Sequence, residues 1–201
     1  MLQIVLLVVV IIVVAWLVLY MRAQKPVTTA QQLIQQHRYN EAAALPANDS
    51  AEHLHRAEAL KLMGRFDAAI AEYRLSDDPA AQEGIALALA HAGRDLEEAQ
   101  RLMENTINLY PQIQEFQALG LAYILLRRGD RDAALRVYRD NAELLETRFR
   151  DDYTDPDPLL SETLVMYAEL AQAAGELYRA AQLRTQAAQW APQSVWTRTL
   201  M

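Results

Sequence analysis

The run Tyr167–Pro192, YAELAQAAGELYRAAQLRTQAAQWAP, decides how the rest of the chain is read. A small residue, Ala168, sits inside an apolar helical stretch. Gly175 follows seven residues later, Ala180 five after that, then Ala187, Ala188 and finally Pro192. The order returns about every 30 residues, as Ala57, Gly64 and Ala69, then Ala86, Gly93 and Ala99, then Gly120, Gly129 and Ala134. A fixed period of this size is the signature of stacked supersecondary units, each burying its apolar face on its neighbour.

Within each unit the signals are helical. Thr28 and Thr29, with Gln31 and Gln32 three residues on, have the capping-box pattern. Asp49 with Glu52 opens a second unit, and Gly64 is a left-handed stop for its first helix. Asp78-Pro79 and Asp157-Pro158 each pair an N-cap with a first-turn proline. Phe66, Ala69, Ile70 and Tyr73 recur on one face at the helical period, and no segment alternates with period two for long enough to be a strand. The second helix of the fourth unit runs on to about Arg150. The acidic stretch 151–158 after it reads as a loop.

The first twenty residues read differently. From Leu2 to Tyr20 only Gln3 is polar, and fifteen of the nineteen positions are Leu, Ile or Val. Nineteen helical residues reach roughly 28 Å, close to the hydrocarbon core of a bilayer at ~30 Å. A cleaved signal peptide needs a cationic start, a short apolar core and a small-x-small site, and this run offers none of them. The reading is a transmembrane anchor over 1–21, a juxtamembrane linker over 22–27, a helical-hairpin domain of about four and a half units over 28–192, and a tail over 193–201. Arg22 and Lys25 follow the run, and positive flanks stay in the cytoplasm. The expectation is therefore a single-pass protein of a bacterial inner membrane with its helical domain in the cytoplasm; the extracytoplasmic side is the alternative.

Composition narrows the partners. With 19 basic and 26 acidic residues the net charge is −7, against nucleic acid as a partner, which selects a basic surface. There is no cysteine, hence no disulfide, thiolate metal site or Cys nucleophile.

The repeating residues resemble the tetratricopeptide repeat (TPR) family over nearly all of 28–192. Ala57, Ala86, Gly120 and Ala168 match the small position of the first helix, Ala69, Ala99, Ala134 and Ala180 the alanine early in the second, and Pro111 and Pro192 the terminal proline. The resemblance implies an all-α fold, a right-handed superhelical array of antiparallel helical hairpins preceded here by one transmembrane helix. It departs from the family in lacking the first-helix Trp, with His53, Phe116 and Leu164 near its place. It also departs in spacing before Pro79, Ala99 and Gly129, which makes the stacking irregular.

Catalytic chemistry finds no support in the sequence. His53 and His55, two apart, point some 200° apart on a helix, and His37 and His91 are isolated. Phosphate loops, nucleophile elbows and zinc-helix motifs are absent. The acidic loop lacks the glycine and alternating ligands of a calcium loop. The chain is read as a non-enzyme with no cofactor, no metal and no small-molecule substrate. The expected function is a membrane-anchored adaptor or scaffold binding a protein or peptide partner. An envelope chaperone-like assembly factor, or a structural subunit of a membrane complex, is the alternative.

In such arrays the first helices line a concave face, and the spacing i, i+3, i+7, i+10 selects its residues. The candidate partner-binding set is Leu54, Glu58, Lys61, Glu83, Leu87, Leu121, Ile124, Val165 and Glu169. A Lys/Asn/Arg clamp for terminal carboxylates, known in the family, could draw only on Lys61 here. The face is either open to a partner or covered by the chain itself.

The register makes a direct prediction. Ala180 sits where two helices touch, so Ala180→Leu should overpack the contact and cost about 1–3 kcal/mol. A melting temperature unchanged from that of the parent would show the register of the last hairpin to be wrong.

Overall fold

At the start of four hairpins an upstream side chain satisfies a free backbone donor of the opening turn, whereas the helices that begin at Tyr39, Phe66 and Leu177 have no side-chain cap. The computed structural model describes residues 29–109, 114–151 and 156–198. Thr29 accepts from Gln32 N and donates its own N–H to Gln32 Oε1, a closed capping box that starts α1 (Ala30–Gln35). After α2 (Tyr39–Ala44), the Asp49 side chain accepts from Glu52 N at 2.8 Å and opens α3 (Ser50–Leu62). Following α4 (Phe66–Tyr73), Asp78 Oδ1 accepts from Ala80 N at 2.8 Å and opens α5 (Ala80–Ala92). Then come α6 (Leu96–Leu109), α7 (Gln114–Arg127) and α8 (Arg131–Asp151). Asp157 Oδ1 accepts from Leu159 N ahead of α9 (Leu160–Ala174), which is followed by α10 (Leu177–Trp190) and a single turn, α11 (Val195–Arg198).

The turn after α3 shows what the periodic glycine does. Gly64 takes φ +75°, its N–H bonds to Lys61 O, and Arg65 N–H bonds to Leu60 O, both at 2.9 Å. That is the Schellman closure, which requires the left-handed conformation that a side chain resists. In the first hairpin His37 occupies the same place at φ 59°, with Arg38 N–H bonded to Leu33 O.

Helices α1 to α10 pair in sequence order as five hairpins, and α1, α3, α5, α7 and α9 touch one another in succession as an inner layer. The described residues form an all-α array of helical hairpins without a strand. The alanines that recur at the helix crossings are buried: Ala57, Ala69, Ala86, Ala99, Ala134 and Ala168 fully, Ala180 nearly so. Between hairpins a bulky residue of one second helix enters the next first helix. Tyr73 of α4 lies so close over Gly84 of α5 that a Cβ there would overlap its ring, and Met103 of α6 sits likewise above Gly120 of α7. Tyr138 of α8 meets Tyr167 of α9 edge to face at 5.6 Å between centroids. The corresponding position of α10, four residues after its alanine, is Arg184, whose guanidinium turns back to Gln172.

The placement of the chain as a single-pass protein of a bacterial membrane, helical domain in the cytoplasm, is corrected: no helix among the described residues is long and apolar enough to cross a bilayer. The longest, α8 with 21 residues, carries Arg and Asp or Glu along its whole length, and each such charge is costly to take into hydrocarbon. The expected anchor 1–21 and linker 22–27 lie outside the described residues, as do 152–155 of the acidic loop and 199–201 of the tail.

The close approach at Gly84 is testable. Alanine favours a helix over glycine by about 1 kcal/mol, so the exchange is normally stabilising. Here Gly84→Ala should instead lower stability by about 1–3 kcal/mol, because Tyr73 must leave its seat. Urea denaturation of the two proteins reads the sign directly.

Candidate functional site

The candidate residues of the inner face come together, but not as an open groove. Lys61, Leu87, Ile124 and Val165 are buried, while Leu54, Glu58, Glu83, Leu121 and Glu169 are half-buried. The array closes on itself, so that first helices far apart in sequence meet across its axis.

The centre of the closure is a charged network. Lys61 of α3, 4% exposed, places Nζ 2.7 Å from Glu162 Oε2 of α9 and 3.1 Å from Glu58 Oε2. Glu162, 3% exposed, puts its other oxygen 2.8 Å from His91 Nε2 of α5. His91 Nδ1 is 3.0 Å from the Tyr123 hydroxyl of α7, which accepts from Arg127 NH1 at 3.1 Å. Tyr73 donates its hydroxyl to Glu58 Oε1. Glu83 Oε2 accepts from Gln117 Nε2 at 3.4 Å.

Ionisation follows from these contacts. Burial pushes the Glu162 carboxyl up, but the Lys61 ammonium and the His91 hydrogen bond outweigh it and hold it down at about 2. Burial likewise depresses Lys61, and the Glu162 and Glu58 carboxylates raise it well above the ordinary lysine value. Burial, with the Glu58 charge beside it, drives the Tyr73 hydroxyl upward. Burial also raises Glu83, against a partial pull from Lys61. An ionised Glu162 only accepts, so His91 donates from Nε2, and Tyr123 can donate to Nδ1 while accepting from Arg127. The groups are turned towards one another. Of them only Glu58, Lys61 and Glu83 were selected as candidates from sequence; His91 and Tyr123 were not. What selects Lys61 in the sequence is the helical spacing of the inner face, and His91 and Tyr123 fall outside that spacing.

The tail completes the closure. Pro192 and Gln193 are exposed, and beyond them the chain folds back so that Trp196, 7% exposed, enters the array. Its ring lies 5.7 Å from Phe66 and 4.1 Å from His91, which is itself stacked on Phe66 at 5.8 Å. Val195 sits on Gly64. Gln35 of α1 donates to Asp157 at 3.2 Å, a second link between the two ends of the array.

The surface clefts lie elsewhere. One of about 290 Å³ opens between the first two hairpins, lined by Ala30, Ala42, Leu45, Pro46 and His55 among others. Another, of about 510 Å³, runs along the outer face of α10 over Tyr178, Ala181, Gln182, Thr185, Gln186, Gln189 and Trp190. None of the nine candidates lines either. His53 is bonded to Glu72 at 2.8 Å, and among the described residues no group of His, Asp and Glu is arranged to hold a metal ion.

No protein-family model matches the sequence, and no curated protein matches it. Among solved structures the chain is similar to nearly identical TPR-like repeats of Podosopora anserina, described as those of a kinesin light chain. Identity is 16% over 80% of this chain and 90% of that one, with a TM-score of 0.49. The hairpin architecture stands on the helices of this chain themselves.

The depressed carboxyl sets the acid behaviour. A carboxylate held at about 2 when folded, and near 4.5 when unfolded, contributes stability that is fully present above pH ~4.5 and is lost as pH falls towards 2. Glu83, raised by burial, works in the opposite sense. Glu162→Gln leaves Lys61 short of its nearest charge and should cost about 3–5 kcal/mol at neutral pH. Denaturation of both proteins from pH 7 to pH 2.5 should show the gap narrowing below pH 4.5; a constant gap would contradict the ionised network.

Proposed function

We propose that the chain is a non-catalytic scaffold that holds another protein, and that the outer face of α10, not the closed interior, carries the contact. The observation behind this is the exposure of two large apolar residues at the start of that helix, Leu177 at 68% and Tyr178 at 78%. They continue into the cleft along α10, whose lining holds no charged side chain. An exposed apolar patch on an otherwise charged surface is the usual mark of a protein contact.

The repeat itself indicates the chemistry of the partner. Leu177 stands three residues before Ala180, as Phe66 stands before Ala69, and Ala181 corresponds to Ile70. In the preceding hairpins this side of the second helix receives the next first helix, where Tyr73 of α4 meets Gly84 and Met103 of α6 meets Gly120. On α10 the fitting partner is therefore a helix with an apolar stripe and a small residue at the crossing point. With no charge in the cleft, the contact should depend little on salt.

The network of Lys61, Glu162 and His91 supports the non-catalytic reading, since its members face each other across the array axis and a substrate has no room between them. They serve to close the array.

Affinity capture with the full chain tests the proposal. Leu177→Asp with Tyr178→Asp, both exposed, should leave helicity and melting temperature unchanged. Partner recovery should fall by about thirtyfold, the loss expected from a hot spot of about 2 kcal/mol, and the parent's recovery should persist in high salt. Undiminished recovery by the double variant would place the contact elsewhere.

A further inference from the structure

The seat of Trp196 stands apart from the repeat. It is made by Phe66 and His91, from two different hairpins, and the neighbouring Val195 rests on Gly64. A Cβ on Gly64 would lie 2.9 Å from Val195 Cγ2 and 3.2 Å from Val195 Cβ, so the bare backbone of that turn is what admits the tail. The occupant is a single turn of helix, joined to α10 through the exposed Pro192 and Gln193. Ser194, whose N–H and hydroxyl both bond to Ala191 O, forms the bend that turns it inward. A short element on such a tether belongs to the class of segments that open locally without global unfolding.

We propose that this seat is a peptide-binding site held shut by the chain's own tail. The ligand is a partner segment that presents a β-branched residue followed by tryptophan, as Val195–Trp196 does. The flat faces of Phe66 and His91 accept the indole, and Gly64 accepts the branched residue beside it. While the tail is seated it competes from the same chain, at an effective concentration that a short tether places in the millimolar range. A partner peptide therefore meets a site of which only the open fraction is available, and its apparent affinity falls by that fraction. The site is distinct from the outer face of α10, so either can fail without the other.

The test uses the full chain and a fluorescently labelled peptide of residues 192–198, PQSVWTR. Trp196→Ala empties the seat and should bind this peptide at least about tenfold more tightly than the parent chain, whose seat is occupied in cis. A peptide with alanine in place of its tryptophan should not bind. Val195→Asp provides a second arm: it sets a charge against the bare turn at Gly64 and expels the tail while leaving Gly64, Phe66 and His91 as they are. It too should bind the peptide at least about tenfold more tightly than the parent chain. If Trp196→Ala loses helicity, Val195→Asp decides alone. The proposal is overturned if the folded variant of either kind binds no better than the parent. Tails exchanged between two copies, seen as a dimer of the parent chain in sedimentation velocity, would overturn it as well.

Discussion

A lysine ammonium buried at the axis of a helical array stays charged only if carboxylates come with it. Lys61 has two, Glu58 from its own helix and Glu162 from α9, and the second is the constraint on which the closure depends. Taking either charge from water alone is expensive, and the pair recovers that cost only when the remaining polar atoms are also satisfied. His91 satisfies the other oxygen of Glu162, and Tyr123 and Arg127 continue the chain of hydrogen bonds into α7. Four inner helices are thus tied at one point, each contributing a group that would be unsatisfied without the others.

That closure fills the inner face. Arrays of helical hairpins offer a concave face when each unit contacts only its neighbours. In this chain the inner face also contacts itself across the axis, and the tail packs Trp196 against the stacked pair Phe66 and His91. What the solvent meets is the outside: the cleft at the first two hairpins, and the apolar start of α10. Arg184 belongs to the same picture. Where Tyr73, Met103 and Tyr138 reach into a following hairpin, it folds back to Gln172 and leaves the neighbouring face of α10 uncovered.

Much of the local structure was legible in the sequence because its causes are local. The capping box at Thr29 and the cap at Asp49 are written within four residues, and the glycine that closes α3 within six. The alanines at the helix crossings follow from the period, since a helix presents the same face every three to four residues. His37 was harder. Nothing marks an isolated histidine as the left-handed residue of a turn, and only its backbone shows it standing where later hairpins use glycine. Periodicity likewise selected Lys61, Leu87 and Ile124 as members of one inner face, but it does not distinguish a face that waits for a ligand from one already covered.

The sequence by itself determined the all-α class, the hairpin period, the caps and the small residues at the crossings, because each rests on interactions between residues close along the chain. Only the tertiary structure decided that Lys61 meets Glu162, a hundred residues away, and that Trp196 returns to Phe66 and His91. Those contacts depend on the small rotation from each hairpin to the next, added over several irregular units, and no local pattern encodes such a sum. The same sum decides which face is left exposed.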